Sequence, residues 1–410
     1  MQTAAQTFNK IKIKNRSSEK KETKLTNGVF KGRLPVLKDV WDLIPNYKVQ
    51  VPQESIDLIV EVLKSGWIGG DGPKVKEFET KIAEIVGNKN ILALNSGTSA
   101  LQLALRIAGV SGGEVVSTPM TCFATNAAIA QEGADIVWTD IDPETGNIDP
   151  YDIAKRVTKR TRAIMIVHWG GFPCDLDLIN KIAKVFNIPV IEDAAQALGS
   201  EYKGKPIGIH SDYVAFSTQA IKIINTADGG LLATKRRKDW ETAKRLRWYG
   251  IDRDKRIDGP TFWHYPIKET GSKMQMTDIL AALGLGQLPY LDDILKHRRK
   301  IAKIYDKAID NNKNLKRQKV IEGAKPNYWI YTVITQGNKH RLELYEKLKS
   351  IGVRAEEAHR RNDLYPVFKK YKKEELPGVA RFDESEIIVP VGQWVTEEKA
   401  DQIAQVLANF

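Results

Sequence analysis

From about residue 52 the chain alternates short apolar runs with segments of helical spacing, and this alternation limits the fold more than any other feature. The runs lie in "ILALNSGTSALQLALRIAGV", "EVVSTPM", "ADIVWTDID", "AIMIVHWGG", "IPVIEDAAQALGS", "DYVAFST" and "GGLLAT". They are rich in Val, Ile and Leu and show little polar alternation. A strand buried on both faces reads this way, and such strands belong to a mostly parallel sheet covered by helices. The expected class is therefore α/β. "SIDLIVEVLKSGW" and "PKVKEFETKIAEIVG" have helical spacing ahead of the first run. "GLGQLPYLDDILKHRRKIAKIYDKAI" predicts a long helical connection interrupted near Pro289. Beyond it, helical "HRLELYEKLKSIG" and "TEEKADQIAQVLANF" mix with strand-like "YWIYTVIT" and "EIIVPV", which predicts a smaller α+β domain. The expected division is a tail over 1–34, a large domain over 35–290 and a small C-terminal domain over 291–410.

Charge separates the tail from the body. The net charge is +12, yet residues 1–34 hold nine Lys/Arg against Glu19 and Glu22. That leaves a body with only a slight positive excess, which argues against a nucleic-acid partner. The tail is polar, lacks an apolar period and reads as disordered. No apolar run is long enough to span a membrane, and no secretory signal opens the chain. With two cysteines, Cys122 and Cys174, the sequence suits the cytoplasm and excludes a disulfide framework. It contains no CxxC pair or HExxH stretch, so no metal site is expected.

Three stretches fall where strands of a parallel sheet end, the edge at which such sheets bind ligands. "VIEDAAQA" ends an apolar strand in Glu192 and Asp193. "LNSGTSALQLAL" passes through Gly97, Thr98 and Ser99 into a helix, whose first N–H groups suit an anion. "FSTQAIKIINTADGG" places Ser217 five residues before Lys222, a cation among apolar neighbours. Each alone has a plain reading: a loop acid, a helix cap, a lysine reaching to the surface. Together they supply an anion cradle, a buried carboxylate and a lysine. Pyridoxal phosphate asks for this set, with the acid keeping its ring nitrogen protonated and the lysine taking its aldehyde. Partial burial would lower the lysine pKa and favour the reactive amine.

The chain resembles the DegT/DnrJ/EryC1/StrS family of sugar aminotransferases, enzymes with the type I fold of pyridoxal-phosphate-dependent transferases. The resemblance covers roughly residues 50–410. It rests on "SGWIGGDGPKVKEFE", "NSGTSALQLAL", "TDIDPETGNID", "VIEDAAQALGSEYKGKPIG", "FSTQAIK" and "GSKMQMTDILAALGLGQL", in that order. By resemblance, Lys222 carries pyridoxal 5'-phosphate, which passes through its pyridoxamine form in the cycle. Asp193 meets the ring nitrogen, and Gln196 bonds the ring hydroxyl. Thr98, Ser99 and Ser217 hold the phosphate. The lid over the ring falls on Cys122 by register, with the aromatic Phe123 beside it. Trp67 lines the sugar site or packs. His168 reads as a structural hydrogen-bonder. His359-Arg360-Arg361 reads as a solvated charge run, with nucleotide phosphates as the alternative.

Three departures stand out. The family's Arg-Asn-His-Gly is Arg247-Trp248-Tyr249-Gly250, so the asparagine that often reaches a neighbouring subunit's phosphate is missing. Its Gly-Tyr-Asn-Tyr-Arg is Gly271-Ser272-Lys273-Met274-Gln275, and its Thr-Gly-Glu-Gly-Gly is Thr226-Ala227-Asp228-Gly229-Gly230. The resemblance implies transfer of an amino group from glutamate or glutamine to a keto group of a nucleotide-linked (deoxy)sugar, in a homodimer with shared sites. The alternatives are another keto-sugar or cyclitol as acceptor, or a cofactor-binding sensor without turnover.

Overall fold

The computed structural model describes residues 43–261, 263–310 and 312–410; the segment read as a tail, 1–34, lies outside them. In chain order the helices are α1 Gln53–Ser65, α2 Pro73–Val86, α3 Gly97–Ala108, α4 Phe123–Gln131, α5 Pro150–Arg156 and α6 Leu176–Phe186. They continue with α7 Arg237–Leu246, α8 Asp278–Leu285, α9 Leu291–Ile309, α10 Asn338–Ser350, α11 Pro377–Ser385 and α12 Glu397–Ala408. The strands begin with β1 Ile91–Leu94, β2 Glu114–Ser117, β3 Asp135–Trp138, β4 Thr161–Val167 and β5 Val190–Asp193. Short β6 Glu201–Tyr202 and β7 Lys205–Pro206 precede β8 Tyr213–Ser217 and β9 Gly230–Thr234. The rest are β10 Lys316–Arg317, β11 Ala324–Lys325, β12 Tyr331–Ile334 and β13 Glu386–Val389.

The seven apolar runs form one sheet in the order β1-β9-β8-β5-β4-β2-β3. Strand β9 pairs antiparallel with both neighbours, and the other pairs are parallel. The carboxyl ends of β1, β2, β5 and β8 therefore share one edge with the start of β9. Helices cover the sheet and bury it from both sides, which is why its strands need no polar face. Helix α3 turns Leu101, Leu103, Ala104 and Leu105 into this core.

A second core forms around the sheet β10-β12-β13, with Ile301 and Tyr305 of α9, Leu344 and Leu348 of α10, and Ile403 and Leu407 of α12. Residues Phe368, Tyr371, Leu376, Val379 and Phe382 pack instead with the core of the large sheet. We propose a lobe boundary at the start of α9, where the second core begins. The interruption at Pro289 is a 3-10 turn, Leu288–Tyr290, between α8 and α9.

Candidate active site

The sheet edge brings the three stretches together. Ser96 caps α3, its Oγ accepting from Ser99 N–H at 3.0 Å. The backbone there lies close against the ends of β8 and β9. A Cβ on Gly97 would come 2.9 Å from Ser217 Cβ, and one on Gly230 would come 2.3 Å from the Ser96 carbonyl oxygen. The glycines are thus required by close approach. The first N–H groups of α3, on Gly97 and Thr98, have no intrahelical partner, as at any helix start. Ser217 Oγ accepts from Gln219 N–H at 3.2 Å, which leaves its own proton free to donate. Ser99 Oγ donates to Asn95 Oδ1 at 2.7 Å and so shapes the turn.

Glu192 and Asp193 end β5 together but point to opposite faces, as successive strand residues must. Glu192 Oε2 accepts from His168 Nε2 at 2.9 Å in the core. His168 Nδ1 accepts from Cys174 N–H, so Nε2 holds the ring's proton and His168 is a hydrogen-bonding core residue. Asp193 faces the site. Its Oδ2 accepts from Thr125 Oγ1 at 2.7 Å and its Oδ1 from Ala195 N–H at 3.1 Å. Burial pushes its pKa up, against the opposing pull of these donors and of Lys222.

Lys222 stands on the loop between β8 and β9. The loop is closed at its base by Thr226 N–H to the Thr218 carbonyl, 2.6 Å, and by the paired Thr218 and Thr226 hydroxyls. Gln287 anchors it from outside, accepting from Asn225 N–H and donating to the Asn225 carbonyl. The loop turns at Ala227 with φ +62°, where the family pattern has glycine. Burial pushes the Lys222 pKa down to about 8, against the opposing pull of Cys122 and Asp193 beside it. Its Nζ rests 3.8 Å from the ring centroid of Trp329. The Trp329 indole N–H donates to the Ile221 carbonyl at 2.9 Å, and the Tyr47 ring packs against it, centroids 5.3 Å apart.

The two lid candidates diverge. Cys122 precedes α4 on the side from which it acts on Lys222. The Phe123 ring turns to Tyr365 and Phe368, each 5.3 Å away. Trp67 is 56% exposed and so does not pack in the core; it lines a groove with Trp248, Trp263, Lys273 and Gln275. Sequence reasoning missed the place of two residues. Trp329 is one. His359 is the other: instead of standing in solvent it meets Gln196, Nε2 to Nε2, at 3.2 Å and packs edge-on against Trp169. His359 lies 163 residues from Gln196, ahead of two arginines, and carries no local mark of its place. Arg361 pairs with Asp363.

These residues fit pyridoxal phosphate. The buried Asp193 carboxylate has only neutral donors on its oxygens and calls for a cation. The open helix start and the free Ser217 proton call for an anion. Between them stands an amine of depressed pKa.

Over residues 50–408 the chain matches the DegT/DnrJ/EryC1/StrS aminotransferase family. GDP-perosamine synthase of Escherichia coli O157:H7 is 35% identical over 306 residues, 74% of this chain and 81% of that protein. The crystal structure of AtS13 from Actinomadura melliaura has a TM-score of 0.84 at 35% identity, covering 90% of this chain and 99% of that one. The PLP form of Spr1654, a putative sugar aminotransferase from Streptococcus pneumoniae, has a TM-score of 0.81 at 28% identity, covering 90% and 98%. The chain belongs to the DegT/DnrJ/EryC1/StrS aminotransferase family, whose members depend on pyridoxal phosphate. It is a sugar aminotransferase with their α/β fold. Among the described residues no helix is long and apolar enough to cross a membrane.

Proposed function

We propose that the chain moves an amino group from glutamate or glutamine to the keto group of a nucleotide-linked deoxysugar, with pyridoxal phosphate carried on Lys222. The observation that carries this reading is the meeting of Lys222, Asp193 and the α3 start at one sheet edge. When bound, the cofactor supplies an aldehyde that condenses with amines and a ring that takes up electrons from the carbon next to the amine. Asp193 holds the proton on the ring nitrogen. Thr98, Ser217 and the first N–H groups of α3 hold the phosphate, and Ser99 fixes their turn. Gln196 donates to the ring oxygen. Cys122 would cover the ring, since Phe123 is turned to Tyr365 and Phe368.

Lys222 Nζ is the amine that would hold the cofactor aldehyde, and when free it would move a proton to and from the reacting carbon. Its depressed pKa keeps a useful share neutral near pH 8. A cavity of about 460 Å³ beside the loop is lined by Lys48, Lys222, His297 and Arg298 among others. That lining suits a carboxylate donor. The groove of Trp67, Trp248 and Lys273 offers flat faces and a cation to a nucleotide. The GDP-linked sugar named for the Escherichia coli relative supports this acceptor class.

A homodimer is part of this reading, and the outer face of α1 supports it. Ile56, Val60 and Leu63 recur at helical spacing on its exposed face, 45%, 41% and 54% open to solvent. Apolar side chains grouped on one exposed face are the kind of surface a second subunit covers.

The test is the return of visible absorbance after an amino donor has bleached it. A nucleotide-linked keto-sugar should restore the band far faster than the free sugar, because contacts to the remote diphosphate and base position the ketone. Equal rates with free sugars or cyclitols would refute the acceptor class.

A further inference from the structure

The carboxamide of Gln196 is held from two sides. Its Oε1 accepts from Gly170 N–H at 2.7 Å, and its Nε2 faces His359 Nε2 at 3.2 Å. A backbone N–H can only donate, so this amide cannot be flipped without setting two donors against each other. Gln196 Nε2 is therefore the donor and His359 Nε2 the acceptor. His359 must then be neutral, with its proton on Nδ1. Burial and the charge of Lys222 act the same way, pushing His359 down to about 3. Trp169 fixes the imidazole edge-on, ring centroids 5.5 Å apart.

The opposite side of the clamp is equally fixed. Gly170 and Gly171 have φ of +66° and +88°. A Cβ on Gly171 would lie 1.8 Å from Asn327 Oδ1, and Asn327 Nδ2 donates to the Gln196 carbonyl at 2.9 Å. The turn that offers Gly170 N–H cannot easily move away.

We propose that His359 is a positioning residue, which takes one N–H of Gln196 and leaves the other as that side chain's single donor for the ring oxygen of the cofactor. Without His359 the amide would be fixed at one end only, and its free donor would lose its direction. The proposal rests on the reading of this edge as a pyridoxal phosphate site.

The test is a binding comparison on the full-length apo protein, read by tryptophan fluorescence. The probes are pyridoxal 5'-phosphate and 3-deoxypyridoxal 5'-phosphate, which lacks the ring hydroxyl. His359→Phe keeps a ring against Trp169 but removes the acceptor. It should weaken pyridoxal phosphate about ten-fold, the worth of one well-placed hydrogen bond to a charged oxygen. Binding of the 3-deoxy compound should be unchanged. His359→Gln, whose Oε1 reaches the place of Nε2, should restore most of the loss. Equal weakening of both probes, or of neither, overturns the proposal. Failure of the wild-type protein to bind either probe refutes the cofactor reading instead. Nitrogen-15 spectra of the unmutated apo protein give an independent reading that needs no variant. They should show His359 as the Nδ1–H tautomer; the Nε2–H form or an imidazolium at neutral pH overturns the clamp.

Discussion

Replacing Asp193 by asparagine should move stability and catalysis in opposite directions. The asparagine can keep the Ala195 N–H bond through its oxygen. Its amide nitrogen then meets Thr125 Oγ1, which can turn its proton to Thr121 Oγ1, 2.8 Å away. No donor is stranded, so the shape of the site survives. Burial raises the Asp193 pKa, so the folded protein holds the carboxylate less readily than the unfolded chain does. Stability from this group is present below the unfolded pKa and is lost as pH rises through the folded one. The asparagine removes that loss. The apo variant should therefore melt higher than wild type at pH 7, with the gap closing in acid. Catalysis should suffer. A buried acid beside a ring nitrogen shifts its pKa by one to three units, so about two units is a fair central value for this site. Two units amount to about 2.7 kcal/mol, or about 100-fold in the step that deprotonates the carbon. The assay is stopped-flow bleaching of the visible band by glutamate with the cofactor fully bound, beside calorimetric melting of the apo form. A near-normal rate, or an apo variant that melts lower at pH 7 and not in acid, would refute the reasoning.

Three further outcomes follow from the same geometry. Covalent attachment of pyridoxal phosphate to apo protein, read by growth of the visible band, needs the free Lys222 amine, so its rate should rise with pH through a midpoint of about 8. Trp329→Leu removes the ring that favours the ammonium and should shift that midpoint lower, while a midpoint at an ordinary lysine value would contradict the burial argument. Ala227→Gly relieves a left-handed residue and should raise stability by about 0.5–1 kcal/mol in denaturant melts; a loss would mean the side chain packs usefully. If the proposed homodimer forms through α1, Val60→Asp with Leu63→Asp should sediment as monomer where wild type sediments as dimer, without lowering helix content; a dimer mass for the variant would place the interface elsewhere.

Much of the fold was legible because parallel strands covered by helices leave near-continuous Val, Ile and Leu runs. The direction of β9 was not, since "GGLLAT" reads alike whichever way it runs. The site was legible where its parts are local: the helix start at Gly97, the acid closing β5, the lysine after β8. Alternation along the strand then separates Asp193 from Glu192, a choice that "VIED" alone left open. Cys122 and Phe123 are one residue apart, and only the way α4 enters the edge divides them. Trp329 and His359 reach the site from the C-terminal third through contacts more than a hundred residues long, so no local pattern marks them.

The most direct measurement is borohydride reduction of the protein loaded with pyridoxal phosphate, followed by peptide mass analysis. A pyridoxyl group should be fixed on the peptide carrying Lys222 and nowhere else, and Lys222→Ala should still bind the cofactor while losing turnover. A pyridoxyl group on Lys235 or Lys273, with Lys222 unmodified, would contradict the account.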